Sequence, residues 1–203
     1  MIYLDDLLRG NDFDHVVAGL ARPLRERFAF PSLHQLGVVV PDVEKAAAVL
    51  ENDGFEPFFV ARGAPVFWQE KGRRHRVSDK MGLAYHQGIE IELLEPLQGS
   101  DFYHSALDPS GRPVLQHLGF LVEDVDRWGE KLASAGLGVW VRGQLKTGPV
   151  KTDFAYMDPL EDDGLIMEFI VWRCFGQRFH PRSAIAHTIG RIQQWTGKRC
   201  WSL

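Results

Sequence analysis

The sequence predicts an α+β fold built from two βαβββ modules. Residues 35–43 recur as residues 117–125, at an offset of 82 residues, and Gly, Val, Asp and Val coincide in the two segments. A second pair of apolar segments, 88–94 and 164–170, each carries a glutamate four residues after a glycine. Two copies of this length do not form a solenoid, so we expect one curved mixed sheet around a central cleft.

In each copy the first strand leads directly into a predicted helix. Asp42 and Asp124 are suitable N-cap residues, and the helices are expected near residues 43–52 and 125–135. Gly54 and Gly136 provide the helix stops. Each half therefore consists of a strand, a helix and about three more strands. The modules are placed at about 32–97 and 114–172, within one domain that spans 32–172.

The segments outside this domain are predicted to be helical extensions. Residues 1–31 carry leucines and valines at helical spacing, and residues 173–203 form a basic extension without any acidic side chain. We expect the second extension to pack as an amphipathic helix. Its predicted packed face consists of Ile185, Ile189, Ile192 and Trp195.

Composition excludes several classes of protein. The 203 residues are 45% hydrophobic with a net charge of −4, which argues against a general nucleic-acid binder. No apolar run approaches the roughly 18 residues that a membrane helix needs. The acidic first residues do not resemble a signal peptide, and two cysteines are too few for a disulfide framework. We therefore expect a cytoplasmic protein that binds neither nucleic acid nor a membrane.

Four polar residues lie at equivalent places in the two copies and form a candidate metal site. Gln35 and His117 lie on the first strands, and Glu92 and Glu168 lie on the last strands. A glutamate inside an apolar strand is costly unless it is paired or ligates a metal. One imidazole nitrogen and three oxygens suit a divalent ion, which we expect to be Zn, Ni, Co, Mn or Fe(II), with no organic cofactor.

Several motifs together resemble the vicinal oxygen chelate superfamily, which includes glyoxalase I, methylmalonyl-CoA epimerase, extradiol dioxygenases and bleomycin-resistance proteins. They are Leu-Gly-Val-Val-Val-Pro-Asp-Val, Ile-Glu-Leu-Leu-Glu-Pro-Leu, His-Leu-Gly-Phe-Leu-Val-Glu-Asp-Val and Phe-Ala-Tyr-Met-Asp-Pro, the last followed by Gly-Leu-Ile-Met-Glu-Phe-Ile. The resemblance covers about residues 32–172. By motif position it implies metal ligands at Gln35, Glu92, His117 and Glu168.

His34 is the alternative to Gln35 as the first ligand. Many members of the superfamily carry histidine at this position, and here a histidine precedes the glutamine. Side chains alternate between the faces of a strand, so both residues can point inward only at a bulge. The repeat aligns Gln35 with His117, and we therefore favour Gln35.

The resemblance implies proton transfer next to a metal-polarised carbonyl, as in isomerases, epimerases and glyoxalase-type lyases. Glu168 is the expected catalytic base, and Glu70 is a candidate second base. An extradiol dioxygenase is disfavoured, because it needs two histidines and a carboxylate. The alternative is a metal-free small-molecule binding protein of the bleomycin-resistance type, in which the four polar residues hydrogen-bond one another.

The expected substrate is a small carbonyl compound or a thioester that enters the cleft between the modules. Candidate substrate-binding residues are Lys151, Tyr85 and Arg112. The superfamily resemblance also makes a homodimer plausible.

Overall fold

The computed structural model of the chain describes residues 1–9, 12–159, 164–180 and 183–203. The N-terminal segment contains a short strand and two helices: β1 (Ile2–Tyr3), α1 (Leu4–Leu8) and α2 (Phe13–Phe28). The C-terminal segment contains one helix between two short strands: β12 (Gln177–Arg178), α6 (Ser183–Thr196) and β13 (Cys200–Ser202). No helix in these described ranges is long and apolar enough to cross a membrane.

The predicted repeat of two βαβββ modules is confirmed. The first module consists of β2 (Leu33–Val39), α3 (Val43–Asn52), β3 (Phe59–Gly63), β4 (Phe67–Glu70), β5 (Arg73–Arg74), β6 (Ser78–His86) and β7 (Ile89–Gln98). After the short helix α4 (Asp101–His104), the second module consists of β8 (Val114–Leu121), α5 (Val125–Ala133), β9 (Val139–Thr147), β10 (Val150–Met157) and β11 (Ile166–Cys174). The hairpin β4–β5 is an addition to the first module that the repeat did not predict.

The helix boundaries follow from the capping residues. Asp42 accepts a hydrogen bond from the backbone N–H of Lys45 at the start of α3, and Asp124 accepts from the N–H groups of Asp126 and Arg127 at the start of α5. Gly54 adopts a left-handed backbone conformation just after α3, with a φ of +93°. The helices therefore begin and end close to the predicted residues.

All thirteen strands in the described part of the chain belong to one mixed, curved sheet, and β2 and β8 join the two modules in antiparallel pairing at its centre. Each first strand also pairs in parallel with the last strand of its own module, β2 with β7 and β8 with β11. The β4 strand pairs with β9 of the other module, so the hairpin bridges the two halves. This arrangement places the first and last strands of both modules side by side at the middle of the sheet.

The two faces of the sheet bury different sets of side chains. One face packs against the helices in a large apolar core that includes Leu36, Phe120 and Phe169. The other face is richer in aromatic residues and includes Trp68, Phe154 and Tyr156. The predicted metal ligands of β7 and β11 line a cavity on this second face.

The C-terminal helix forms where predicted, but its packed face differs from the prediction. Ile185 is 56% exposed and Trp195 is 88% exposed, whereas Gly190 and Gln193 are buried. The side-chain amide of Gln193 accepts from the N–H of Val60 and donates to its carbonyl, at 2.8 and 2.7 Å. The helix therefore attaches to β3 through a polar side chain, and hydrophobic spacing alone identified the wrong face.

Candidate metal centre

The centre of the sheet brings together one polar residue and one glycine from each module. Gln35 of β2 lies opposite Gly119 of β8, and Gly37 of β2 lies opposite His117 of β8. A Cβ atom added to Gly37 would lie 1.8 Å from the His117 ring. A Cβ atom added to Gly119 would lie 2.7 Å from Oε1 of Gln35. The glycines are therefore required because each leaves room for the polar side chain of the opposite strand.

Glu92, His117 and Glu168 converge at this point. His117 Nε2 lies 3.5 Å from Oε2 of Glu92 and 3.3 Å from Oε2 of Glu168. One potential ligand atom from each of the three residues lies within 4.8 Å of the others. All three side chains are buried or nearly so, with His117 at 0% exposure. One nitrogen and two carboxylate oxygens at this spacing are suitable donors for a divalent ion.

The hydrogen bonds of His117 direct one ring nitrogen toward the carboxylates. Its Nδ1 lies 2.7 Å from Oε1 of Gln116, which can only accept, so Nδ1 carries the proton. Nε2 is then available as a ligand, and Gln116 fixes the ring orientation in the way that outer residues commonly hold metal-binding histidines. Burial alone would lower the pKa of His117, but the adjacent Glu168 and Glu92 carboxylates outweigh burial and raise it to about 9.

Two potential ligand atoms of this cluster, Nε2 of His117 and Oε2 of Glu168, form no hydrogen bond in the described structure. They lie 3.3 Å from each other as an ion pair without the geometry of a hydrogen bond. Burial raises the pKa of Glu168, and the neighbouring His117 opposes this effect. Buried polar atoms without partners are costly, and a divalent ion bound between them would satisfy both. The residues present therefore fit a metal ion.

Gln35 and His34 both approach Glu90 at an irregularity in β2. The pairing with β8 shifts between Leu33 and Gln35, which leaves His34 between two paired positions. Gln35 Nε2 donates to Oε1 of Glu90 at 2.7 Å, and its own Oε1 is buried without a partner. His34 Nε2 lies 3.8 Å from the same Glu90 oxygen. Gln35 lines the cavity of Glu92 and Glu168 and has an acceptor oxygen free to bind a metal.

The buried residues around Glu90 have strongly shifted pKa values. Burial raises the pKa of Glu90 to about 7, and the hydrogen bond from Gln35 opposes the shift. Burial lowers the pKa of His34 to about 4, so this imidazole is neutral at physiological pH. A neutral His34 and the amide of Gln35 therefore flank a carboxyl group that titrates near neutrality.

The cavity that contains the cluster is small and largely enclosed by aromatic side chains. Its volume is about 50 Å³, whereas pockets for drug-sized ligands are roughly 300–1,000 Å³. Trp68 of the β4–β5 hairpin lies against the rings of Tyr103, Phe154 and Tyr156. The hydroxyl groups of Tyr103 and Tyr156 are 2.8 Å apart and hydrogen-bonded. The space suits an ion and a few substrate atoms.

A larger groove, of about 880 Å³, lies away from this cluster between α1 and α3. Its walls include Leu4, Leu8 and Val49, and four of its charged residues form ion pairs: Asp5 with Arg9 and Asp42 with Lys45. Glu92 and Glu168 line the smaller cavity and not this groove.

Four other candidate residues do not lie at the cluster: Glu70 and Arg112, and also Tyr85 and Lys151. Glu70 accepts hydrogen bonds from Ser100 Oγ and Trp140 Nε1, at 2.6 and 3.3 Å. Arg112 pairs with Asp5 and stacks over Tyr3, which attaches the N-terminal segment.

Tyr85 and Lys151 also lie outside the cavity wall. Tyr85 is next to Glu90 and 6.4 Å from the His34 ring, measured between ring centroids. Lys151 is half-exposed and lies 3.4 Å from Oδ2 of Asp153. Its neighbour Thr152 contributes to the cavity wall instead.

Sequence reasoning missed Asp79, which lines the cavity and is 4% exposed. Its Oδ1 has no hydrogen-bond partner within the described ranges, and burial together with nearby Glu92 raises the pKa of Asp79 to about 7. The alternation of Asp79, Met81 and Leu83 along β6 is the signal that could have identified it, because alternate residues share a face.

Comparison with known proteins identifies the family. The sequence profile of the Glyoxalase/Bleomycin resistance protein/Dioxygenase superfamily matches residues 34–157, and the chain belongs to this superfamily. No curated protein sequence matches the chain.

Solved structures with a similar fold include two methylmalonyl-CoA epimerases. A variant of the Streptomyces coelicolor enzyme in complex with 2-nitronate-propionyl-CoA is 18% identical, with a TM-score of 0.46, and the match covers 70% of this chain and 96% of that one. The Mycobacterium tuberculosis enzyme is 19% identical, with a TM-score of 0.45 and coverage of 68% and 85%. A mutant of 4-hydroxymandelate synthase from Streptomyces coelicolor is 19% identical, with a TM-score of 0.47 and coverage of 81% and 55%.

Proposed function

We propose that the protein is a divalent-metal-dependent enzyme that transfers a proton at a carbon next to a carbonyl group, as an isomerase, an epimerase or a glyoxalase-type lyase does. The observation that carries this proposal is the convergence of Glu92, His117 and Glu168, with Nε2 of His117 and Oε2 of Glu168 unpartnered. Gln35 supplies the fourth ligand through Oε1. The substrate is a small carbonyl compound or the acyl end of a thioester.

The roles of the protein residues follow from their positions. These four side chains would hold a divalent ion, which would supply Lewis acidity at the carbonyl group of the substrate. Glu168 takes the proton from the carbon next to the carbonyl and returns it, because its carboxylate lines the cavity where the substrate must lie. Gln116 and Glu90 orient His117 and Gln35. Trp68 and the tyrosine pair exclude water from the cavity.

The unpartnered atoms also favour this function over a metal-free binding protein. In such a scaffold the four polar side chains would hydrogen-bond one another. Here Gln35 Oε1, His117 Nε2 and Glu168 Oε2 form no hydrogen bond among the described residues, and His117 meets the carboxylates only as an ion pair at 3.3 and 3.5 Å. The cluster contains one histidine and two carboxylates. This composition disfavours an iron dioxygenase, which uses two histidines and one carboxylate.

Solvent deuterium exchange tests the proposed reaction. Protein reconstituted separately with Zn, Ni, Co, Mn and Fe(II) is incubated in deuterated buffer with a panel of small carbonyl compounds and acyl thioesters. We expect deuterium to enter the carbon next to the carbonyl, and Glu168→Gln to abolish this exchange. Glu95→Gln is the matched control, because Glu95 lies on the same strand as Glu92 but binds Lys80 and the N–H of Val43. Exchange that is equally fast in Glu168→Gln and the wild type would contradict the proposed role of Glu168.

We also propose that the protein is a homodimer and that it is located in the cytoplasm. Light scattering measures the oligomeric state, and cell fractionation measures the location.

A further inference from the structure

Asp79 is the one carboxyl group of the described cavity wall that lies outside the predicted ligand set. It faces the cavity from β6, is 4% exposed and has an unpartnered Oδ1. The residue opposite it on β7 is Pro96, which has no backbone N–H to offer. Burying a carboxyl oxygen without a hydrogen-bond donor is costly, so Asp79 lowers the free energy of unfolding.

Asp79 lies on the same cavity wall as the candidate ligand Glu92, although the two residues are separated along the sheet. Leu83 lies opposite Glu92, and Asp79 is four residues before Leu83 on the same face of β6. At the usual rise of a strand, this places the Asp79 backbone about 13 Å along β6 from the Glu92 row. Both side chains nevertheless line the same cavity of about 50 Å³, so a molecule of a few carbons that binds there would contact both.

The charge of the cavity restricts the group that Asp79 would bind. The described wall contains the carboxyl groups of Asp79, Glu92 and Glu168 and no lysine or arginine. Lys80, next to Asp79 in sequence, is paired with Glu44 and Glu95 instead. An anionic group near Asp79 would therefore have no counter-charge. A hydroxyl group both donates and accepts, so it would satisfy Asp79 in either protonation state.

We propose that Asp79 is a substrate-binding residue that hydrogen-bonds a hydroxyl group, and that the substrate is a small, uncharged hydroxycarbonyl compound. This inference rests on the proposed function, because the carbonyl end must lie at the metal centre. It narrows the substrate class from carbonyl compounds in general to those with a neutral hydroxyl a few carbons from the carbonyl. It also disfavours substrates that carry a free carboxylate at that end.

Ligand-observed NMR titration of the metal-loaded protein tests the proposal with three probes. They are butanone, its counterpart with a hydroxyl at the end of the chain, and levulinate, which carries a carboxylate there. We expect the hydroxyl compound to bind at least about tenfold more tightly than butanone and levulinate. Asp79→Ala should remove this preference while leaving the metal content unchanged.

Asp153→Asn is the matched control for this experiment. Asp153 is also 4% exposed, but Gln144 and Arg173 satisfy its oxygens at 2.8 Å each, and it is absent from the cavity wall. We expect this variant to retain the preference for the hydroxyl compound.

Equal binding of the three probes, tighter binding of levulinate, a preference that persists in Asp79→Ala, or no binding of the hydroxyl compound would each overturn the proposal. Elemental analysis of the same samples separates these results from failure of the proposed function. A protein that takes up no metal contradicts the function itself, whereas a loaded protein without the preference contradicts only the role of Asp79.

Discussion

The two modules present the same positions to the cavity but place different chemistry on them. Leu83 lies opposite Glu92 in the first module, and Tyr156 lies opposite Glu168 in the second. The further cavity-facing rows also correspond in register: Met81 with Phe154, Asp79 with Thr152 and Leu94 with Ile170. On the central strands, Gln35 corresponds to His117. Both modules keep the glutamate and the glycine of the central strands. The first module adds the amide of Gln35 and the carboxyl group of Asp79. The second module adds the imidazole of His117 and the hydroxyl groups of Thr152 and Tyr156.

The residues that the two modules share serve the central strands, whereas the residues that differ determine the chemistry of the cavity. Gly37 and Gly119 are retained because each faces the polar side chain of the opposite strand at very close range. Glu92 and Glu168 are retained where two central strands meet, although an interior carboxylate is costly. The remaining rows differ between the modules, so the chemical asymmetry of the cavity arises there.

Breaking the scaffold at one glycine should have the largest effect. Gly37→Ala places a methyl group within 2.3 Å of three atoms of the buried His117 ring, whereas the methyl group of Gly119→Ala meets Oε1 and Cβ of Gln35 at the longer distances of 2.7 and 2.9 Å. We expect Gly37→Ala to lower the free energy of unfolding by about 4 kcal/mol and to abolish metal binding. The Gly119→Ala variant should lose less than half as much. Urea denaturation of both variants measures the difference, and equal losses would contradict this account of the two glycines.

The buried aspartates of β6 and β10 should respond in opposite directions to neutralisation. Because the pKa of Asp79 is raised to about 7 in the folded state, its ionisation costs stability as pH rises from about 4 to 7, and the cost is constant above that. Asp79→Asn should therefore raise the free energy of unfolding by about 2 kcal/mol at pH 8 and by much less at pH 4.

Asp153→Asn supplies the contrast to this prediction. It removes the ion pair with Arg173 at 2.8 Å, and we expect it to lower stability at pH 8. Denaturation curves at the two pH values test both variants. Destabilisation by Asp79→Asn at pH 8 would show that Asp79 has a structural partner and would reverse our interpretation of its unpartnered oxygen.

Metal binding should depend on pH through His117 of the second module, because its imidazole titrates. The amide of Gln35, at the equivalent position of the first module, does not titrate. The pKa of His117 is raised to about 9, so below this pH an incoming ion must displace a proton. We expect the apparent metal affinity to rise by up to about tenfold per pH unit between pH 7 and 9. Metal titration against a competing chelator measures this slope.

His117→Gln is the control for the pH dependence, because it gives both modules the same ligand at this position. The variant should bind metal more weakly and with a shallower slope. A wild-type affinity that does not change with pH would contradict the assignment of His117 as a ligand.

The smallest effect is expected at Glu70, on the hairpin that bridges the modules. Because Glu70 bonds Ser100 and Trp140 and not the cluster, Glu70→Gln should cost about 1 kcal/mol of stability or less. Metal content and the rate of deuterium exchange should match the wild type. A large loss of exchange with normal stability would support the role of Glu70 as a second base, which the sequence suggested.

The four candidate ligands could be picked out from the sequence because the repeat marks their positions directly. Gln35 and His117 lie in segments with matching glycine, valine and aspartate residues, and Glu92 and Glu168 each follow a glycine by four residues. Asp79 could not be predicted in this way. Its counterpart is Thr152, which differs in chemistry, and loops of unequal length between the strands change the offset from 82 residues to 73.

Contacts that join distant parts of the chain were also beyond prediction. Strand alternation allows either His34 or Gln35 to face inward, and only the pairing irregularity with β8 decides how both reach Glu90. Gln193 is not part of the predicted apolar face of α6, yet it hydrogen-bonds the backbone of β3. Periodicity predicts which faces are apolar, but it contains no information about a buried polar side chain whose partner lies 133 residues away.

The central claim is that the two modules together hold one metal ion, and elemental analysis of the purified, tag-free protein tests it most directly. After reconstitution with each of Zn, Ni, Co, Mn and Fe(II), the account predicts close to one ion per chain for at least one metal. It also predicts loss of that ion in the folded double variant Glu92→Gln/Glu168→Gln and its retention in Glu95→Gln. No metal uptake by the wild type, or equal uptake by the double variant, would contradict the claim and leave a metal-free binding protein as the better description.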